Sequence, residues 1–252
     1  MTKIAILTGG STGIGAHLVG ALVAAGYRVG FSYNSSEAPA RAVEALYDGA
    51  AFAVKCDAGD EVQVPAFHAA VADHFGGAPD LLVNNAGIQT WASLLDLKVA
   101  DFDKVIRTNL RGAFLNTQEA ARAMKAAGKG GAIINIGSGC NKVAFPKLVD
   151  YAASKGGIEQ FTKTAASELG PLGIRVNCVA PGAIANERTA EEAEGYADKW
   201  AALTPLRRVG LAADIAGPVV FLASDAASFV TGQTLYVDGG VFACAPWPDY
   251  GG

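Results

Sequence analysis

The sequence predicts an open, doubly wound α/β fold: about seven parallel strands in one sheet, with helices on both faces. Three observations carry this. Short apolar or β-branched runs alternate with longer alanine-rich segments of helical period. The strand-like runs are apolar throughout rather than at every second residue, as strands buried on both faces must be. The first run also passes directly into a glycine-rich turn, TGGSTGIG at 8–15, that opens a helical segment. An eight-stranded β/α barrel fits the length but accounts less well for the strand count and for that turn.

In chain order, KIAILT (3–8) is the first strand, stopped by Gly9 and Gly10, and a helix is expected over 14–25. YRVGFSY (27–33) is the second strand. The polar stretch after it, with Ser35 and Ser36 ahead of Glu37, marks the start of a helix over 37–48. AAFAVKC (50–56) is the third strand, and a helix over 60–75 follows the turn DAGD. DLLVNN (80–85) runs into the turn NNAG, and a long helix covers 102–126. GAIINIG (131–137) leads to a helix over 152–169, and IRVNCVA (174–180) ends at Pro181-Gly182. The stretch 183–210 is helical in pattern, broken by glycine and bounded by Pro205, and is expected to act as a lid. A helix over 212–223 and the strand TLYVD (234–238) complete the sheet, leaving an aromatic, proline-bearing tail at 241–252. No linker, repeat or low-complexity tract divides the chain, so 1–252 is read as one domain.

Composition narrows the function. Of 252 residues, 51% are hydrophobic and 17% charged, with a net charge of −4 and scattered lysines and arginines. That argues against a nucleic-acid or anionic-membrane partner. The opening MTKIAIL is too short an apolar run for a signal peptide, and no stretch could span a bilayer. Cys56, Cys140, Cys178 and Cys244 show no ligand spacing and read as reduced thiols of a cytoplasmic protein, with no metal expected. His17, His68 and His74 fall in helical, alanine-rich stretches as packing or surface residues. Any acid–base chemistry must therefore use another side chain.

The turn at 8–15 suits a dinucleotide phosphate. Glycine permits close backbone approach, and a helix N-terminus offers free N–H groups with partial positive charge. Gly9, Ser11, Thr12, Gly13, Ile14 and Gly15 are the residues placed for it. At the end of the second strand, an acid would hold a ribose 2′-hydroxyl and repel a 2′-phosphate. Here Tyr33 is followed by Asn34, Ser35 and Ser36, which favours NADP, with NAD as the alternative; a serine there also serves as a helix cap. Asp57 either accepts from an adenine amino group or caps the next helix. Asn85, Ala86 and Gly87 end the fourth strand near the centre of the sheet.

Ser138 ends the fifth strand, and Tyr151 and Lys155 stand one helical turn apart in DYAASKGG (150–157). A phenol with a pKa near ~10 is a poor base at neutral pH, and a neighbouring ammonium favours its ionised form. Tyrosine and lysine one turn apart are common on helices, so the pair has weight only in combination.

TGxxxGxG, NNAG, a serine and YxxxK, in this order, resemble the short-chain dehydrogenase/reductase family. The likeness extends from Ile4 to Gly240 and includes RTNLRGAF (107–114), RVNCVAPG (175–182) and SFVTGQTLYVDGG (228–240). The resemblance implies a Rossmann-type fold and NAD(P)-linked interconversion of an alcohol and a carbonyl. By the same resemblance, Tyr151 is the acid/base, Ser138 polarises the substrate oxygen, Lys155 binds the nicotinamide ribose and lowers the phenol's pKa, and Asn109 holds a water of the proton relay. Asp57 and Ala58 become adenine contacts, Asn85, Ala86 and Gly87 lie along the cofactor, and Pro181, Gly182 and Ile184 flank the nicotinamide amide. The family also implies a homotetramer. After Pro181-Gly182 the family often carries a threonine or serine where this chain reads AIANERT, with Asn186 near that slot and Thr189 farther along.

For the substrate, SGCNKVAFPKLVDYAASKGG (138–157) is similar to bacterial glucose 1-dehydrogenases at Lys142, Pro146 and Val149, which points to a sugar or polyol. That group's His-Glu pair is Cys140-Asn141 here, and Asp150 replaces another histidine, so Asn141 and Asp150 are candidate substrate contacts. Glu187, Arg188, Tyr196 and Trp200 of the lid are further candidates, and Trp247 or Tyr250 is expected near a neighbouring subunit's cleft, or else docked on its own chain. A 3-oxoacyl-carrier-protein reductase or general ketoreductase is the alternative, although a pI of about 5.4 gives it no support. A non-catalytic NADP-binding module is the alternative of another class.

Overall fold

The computed structural model describes residues 2–186, 189 and 194–244. Seven strands form one sheet: β1 (Lys3–Leu7), β2 (Tyr27–Tyr33), β3 (Ala51–Lys55), β4 (Leu81–Asn84), β5 (Gly131–Ile136), β6 (Ile174–Pro181) and β7 (Thr234–Val237). All pairs are parallel, in the order β3-β2-β1-β4-β5-β6-β7. The winding reverses between β1 and β4, and the crevice this opens at the carboxyl ends of the strands is where such sheets hold ligands.

Among the described residues the α-helices are α1 (Gly13–Ala24), α2 (Glu37–Ala45), α3 (Gln63–Phe75), α4 (Val99–Ile106), α5 (Gly112–Ala126), α6 (Val149–Leu169), α7 (Tyr196–Leu203) and α8 (Ala212–Ala223). Alternation along the strands feeds two cores. Ala5 and Leu7 of β1 face Leu18, Val19 and Leu22 of α1 and Ile215, Val219 and Leu222 of α8. Ile4 and Ile6 face Phe67 and Val71 of α3 and Met124 of α5. Gly30 in β2 lets Val71 approach so closely that a Cβ there would lie 2.3 Å from a valine methyl. None of the helices among the described residues is long and apolar enough to cross a membrane.

Two boundaries differ from the sequence expectation in ways that bear on the site. The helix expected over 102–126 begins at Val99 and is broken by a π turn at Arg107–Arg111. The widened turn presses onto the loop after β3: a Cβ on Gly59 would lie 2.6 Å from the Arg107 carbonyl oxygen, and one on Gly112 2.9 Å from that of Ala58. The helix expected from 152 begins at Val149, which puts Asp150 inside its first turn.

Several polar side chains inside the sheet layer bond to one another, although Asn84 Oδ1 and His68 Nδ1 are buried without a partner. Asn84 Nδ2 donates to Asn135 Oδ1 (2.8 Å) and Thr117 Oγ1 (3.0 Å), and Asn135 Nδ2 donates to Thr162 Oγ1 (2.9 Å). His68 is buried, with Nε2 3.1 Å from Asn116 Oδ1; burial holds its pKa down, as expected of a packing histidine. Arg175 of β6 closes the far end of α8, donating to the carbonyls of Leu222 (2.7 Å), Ser224 (3.3 Å) and Val230 (3.4 Å). Arg175→Ala strands the Leu222 carbonyl, while those of Ser224 and Val230 keep the Ala227 N–H (3.1 Å) and Asn177 Nδ2 (2.8 Å), and is predicted to lower the unfolding free energy by about 1–3 kcal/mol in urea titrations. A loss below about 0.5 kcal/mol would remove this clamp from the account.

Candidate active site

The switch point is stapled first. Thr8 Oγ1 accepts from the backbone N–H groups of Asn85 and Ala86 (3.0 Å each), while Asn85 Nδ2 donates to the carbonyls of Thr8 (3.0 Å) and Gly9 (2.8 Å). The ends of β1 and β4 are thereby held edge to edge. Gly9 is left-handed (φ +71°), and a Cβ on Gly15 would lie 1.9 Å from the Gly9 carbonyl oxygen, so only glycine closes this turn. Thr12 precedes α1 without a side-chain cap bond. The first turn of α1 thus faces the crevice with its N–H groups and bare glycine backbone, which fits a pyrophosphate.

At the end of β2, Tyr33 is buried, and its hydroxyl donates to Glu37 Oε1 (3.1 Å). Asn34 and Ser35 are exposed beyond it. Sequence reading missed a cation here: Arg41, one turn into α2, lies 5.7 Å over the Tyr33 ring and pairs with Glu44 at 2.8 Å. The signal lay in the helical spacing from Glu37 to Arg41. Asp57 engages Arg107 at 2.9 Å and accepts from Gly59 N–H at 2.9 Å, while the buried Ala58 gives its carbonyl to Asn116 Nδ2 at 3.3 Å.

The chemical end gathers at one cavity of about 280 Å³. Ser138, Tyr151 and Lys155 line it, as do Ile14, Asn85, Gly87, Pro181, Gly182 and Ile184. Lys155 is 3% exposed, donates from Nζ to the Ile136 carbonyl (2.7 Å) and lies 5.5 Å from the centroid of the Tyr151 ring. Burial brings its pKa down to about 8. Nearby thiols give it no anion, since burial raises Cys140 and pushes Cys178 up to about 11.

Asn109 sits in the π turn and is 1% exposed. Its Nδ2 donates to the Ile88 carbonyl and to Ser154 Oγ (2.9 Å each), its Oδ1 accepts from Ile88 N–H (2.8 Å), and Ser154 Oγ donates to the Tyr151 carbonyl (2.8 Å). The helix irregularity therefore serves to aim this amide at the loop after β4 and, through Ser154, at the turn that carries Tyr151.

Two expected substrate contacts turn away from the cavity. Asn141 closes a capping box with Ser138: its Oδ1 accepts from Ser138 N–H (3.2 Å), and its Nδ2 meets Cys178 Sγ at 3.9 Å. Asp150 is 0% exposed and spends Oδ1 on the Tyr151 N–H at 2.7 Å, because the earlier start of α6 folds it beneath the helix. Neither lines the cavity. Trp200 does, together with Tyr196 of the segment expected to act as a lid and four residues the sequence did not single out: Gln89, Trp91, Phe145 and Phe242. Asn186 and Thr189 also line it and fold onto each other, each backbone N–H donating to the other's side-chain oxygen at 2.9 Å. Glu187, Arg188, Trp247 and Tyr250 lie outside the described residues.

Comparison with known proteins places this geometry. A protein-family model described as enoyl-(acyl carrier protein) reductase matches residues 9–242. The chain is 40% identical over 245 residues to the 3-oxoacyl-(acyl-carrier-protein) reductase FabG of Staphylococcus aureus, covering 96% of this chain and 99% of that one. It is also 40% identical over 248 residues to an L-rhamnose 1-dehydrogenase (NAD(P)(+)) of Azotobacter vinelandii, covering 95% and 96%. Among solved structures, a gluconate 5-dehydrogenase of Burkholderia cenocepacia in complex with NADP and tartrate superposes with a TM-score of 0.89 at 36% identity, covering 96% of each chain.

The buried lysine gives a stability prediction. Its pKa is about 8 folded, below the ordinary 10.5. The folded chain thus binds fewer protons than the unfolded chain between those values. The cost of burying the ammonium is in full force below about pH 8 and gone above about pH 10.5, so wild-type stability rises through that window. In urea titrations, the unfolding free energy of Lys155→Met minus that of wild type is expected to fall as pH rises across it. A difference that stays flat would show that the ammonium carries no such cost.

Proposed function

Since the chain belongs to the short-chain dehydrogenase/reductase family of NAD(P)-dependent oxidoreductases, we propose that its cavity interconverts a small carbonyl compound and the corresponding alcohol, with NADP(H) preferred. One observation supports this reading above the rest: Lys155 is sealed beneath Tyr151 at the cavity floor with its pKa held down to about 8. A buried cation costs stability unless something repays it, and such groups concentrate where chemistry is done.

The roles follow from position. The cofactor, held along the first turn and the end of β4, would supply the hydride that the carbonyl carbon takes up in reduction. Tyr151 gives its phenolic proton to the carbonyl oxygen in reduction and takes it back in oxidation. Lys155, 5.5 Å from the ring, favours the phenolate that remains after proton loss. Ser138 donates to the same oxygen from the other side. Its orientation is fixed by Asn141 on its N–H and by Cys140, whose N–H donates to Ser138 Oγ at 3.3 Å. Asn109 positions the loop at Ile88 and the first turns of α6 rather than touching the reacting atoms. Gly9, Ser11, Thr12, Gly13, Ile14 and Gly15 hold the pyrophosphate, Asp57 and Ala58 the adenine, Asn85 to Gly87 the ribose side, and Pro181, Gly182 and Ile184 the nicotinamide amide.

A sugar or polyol substrate is a second reading, favoured by the likeness to L-rhamnose 1-dehydrogenase. Its expected polar contacts are reduced, because Asn141 and Asp150 do not reach the cavity. Rates of NADPH consumption with simple ketones and 3-oxoacyl thioesters, and of NADP reduction with aldoses, separate these classes. Turnover of any ketone supports the proposal. Absence of turnover with every class, despite cofactor binding, would leave a non-catalytic binding module.

The cofactor preference rests on the neutral residues after β2, with Arg41 nearby. Asn34→Asp sets a carboxylate where a 2′-phosphate would lie and is expected to raise KM for NADP by about tenfold or more while changing that for NAD by less than about threefold. Equal effects on both cofactors would contradict this placement.

A further inference from the structure

The wall above Ser138 is made of rings, and one of them belongs to the segment after β7. Phe242 lies against the backbone of the buried Gly139: a Cβ there would stand 2.0 Å from its Cε2 and 2.4 Å from its Cζ. Ring and turn therefore occupy adjoining space that no side chain at 139 could share. The segment that aims the ring is fixed. Gly239 and Gly240 are left-handed (φ +63° and +91°). The Asp238 carboxylate accepts from the N–H groups of Gly240 (2.9 Å) and Phe242 (3.1 Å). Asp238 in turn abuts Gly182, where a Cβ would lie 2.7 Å from its Cα. Phe145 meets Phe242 edge-on at 5.6 Å between centroids and leans toward Trp200 at 6.1 Å.

We infer that Phe242, with Phe145 and Trp200, is a specificity determinant that selects carbonyl compounds bearing a flat apolar group, such as an aryl ring, on the reacting carbon. The inference rests on the proposed oxidoreductase reading and names its substrate class. Aromatic faces and edges attract flat apolar groups through contact area and ring quadrupole together. Among the described residues that line the cavity, none carries a carboxylate and the one full charge is Lys155, at the floor. A polyol would find Gln89, Asn186 and Thr189 for some hydroxyls but set the others against the three rings, a cost that disfavours it.

The test measures KM and kcat for NADPH-dependent reduction of acetophenone and of 2-butanone, in wild type and in Phe242→Ala. Wild type is expected to favour acetophenone. The substitution is expected to raise KM for acetophenone about tenfold and that for 2-butanone less than about threefold, the loss of one aromatic contact. NADPH affinity and the melting temperature report on folding. If the alanine variant is unstable, Phe242→Leu keeps most of the volume and is expected to raise the acetophenone KM about threefold, with a smaller change for 2-butanone. Equal rises for the two ketones, or a wild type that prefers 2-butanone or an aldose, overturns the inference and leaves the oxidoreductase reading intact. Wild type that binds NADPH yet turns over no ketone, aldose or 3-oxoacyl thioester sinks that underlying reading instead.

Discussion

An ammonium held inside a protein must be given partners, and the site is organised by how Lys155 finds them. Its Nζ reaches the carbonyl at the end of β5 and lies under the Tyr151 ring. Both contacts require α6 to cross the carboxyl edge of the sheet at one height. That height is set where Ser138 leaves β5 and where α6 begins, at Val149. Burial lowers the lysine's pKa because the charged form loses its water, and only weak compensation comes from the neutral carbonyl and the ring face. A lysine kept there at such cost is explained by the phenol above it more readily than by packing.

The rest of the cavity follows from the parallel sheet. Reversal of winding between β1 and β4 opens the crevice, and Thr8 and Asn85 tie its two lips together. The glycines of the first turn keep the crevice bare on one side. On the other, the π turn at Arg107–Arg111 turns Asn109 inward, so one amide bridges the loop after β4 and the helix that carries Tyr151. Apart from the bond of Asn109 to Ser154 Oγ, these contacts join side chains to backbone. They fix where the site's side chains stand, and of the side chains that make them only Asn85 also lines the cavity.

What could be read from the sequence divides along that line. All seven strands were legible because apolar runs closed by glycine or proline are a local signal, and Ser138, Tyr151 and Lys155 were legible because order and spacing survive without coordinates. The π turn was not, since it packs against Gly59 across the fold, a contact that no local pattern announces. Asp150 and Asn141 were misjudged for a related reason. Standing beside reactive residues in the chain says nothing of which way a side chain points: Asn141 closes a capping box with Ser138, and Asp150 is buried with one oxygen on the Tyr151 N–H. Phe242 was overlooked because its partner, Gly139, lies a hundred residues away, and a glycine advertises no contact until something is seen to fill its space.

The central claim is that Tyr151 moves the proton while the fold around it does the binding. Tyr151→Phe removes a single oxygen and leaves the ring over Lys155. Turnover of a ketone that wild type accepts is predicted to fall by about a thousandfold, with NADPH affinity, followed by its fluorescence, within about threefold of wild type. Turnover within about tenfold of wild type would contradict the account, because the proton would then come from somewhere other than the phenol.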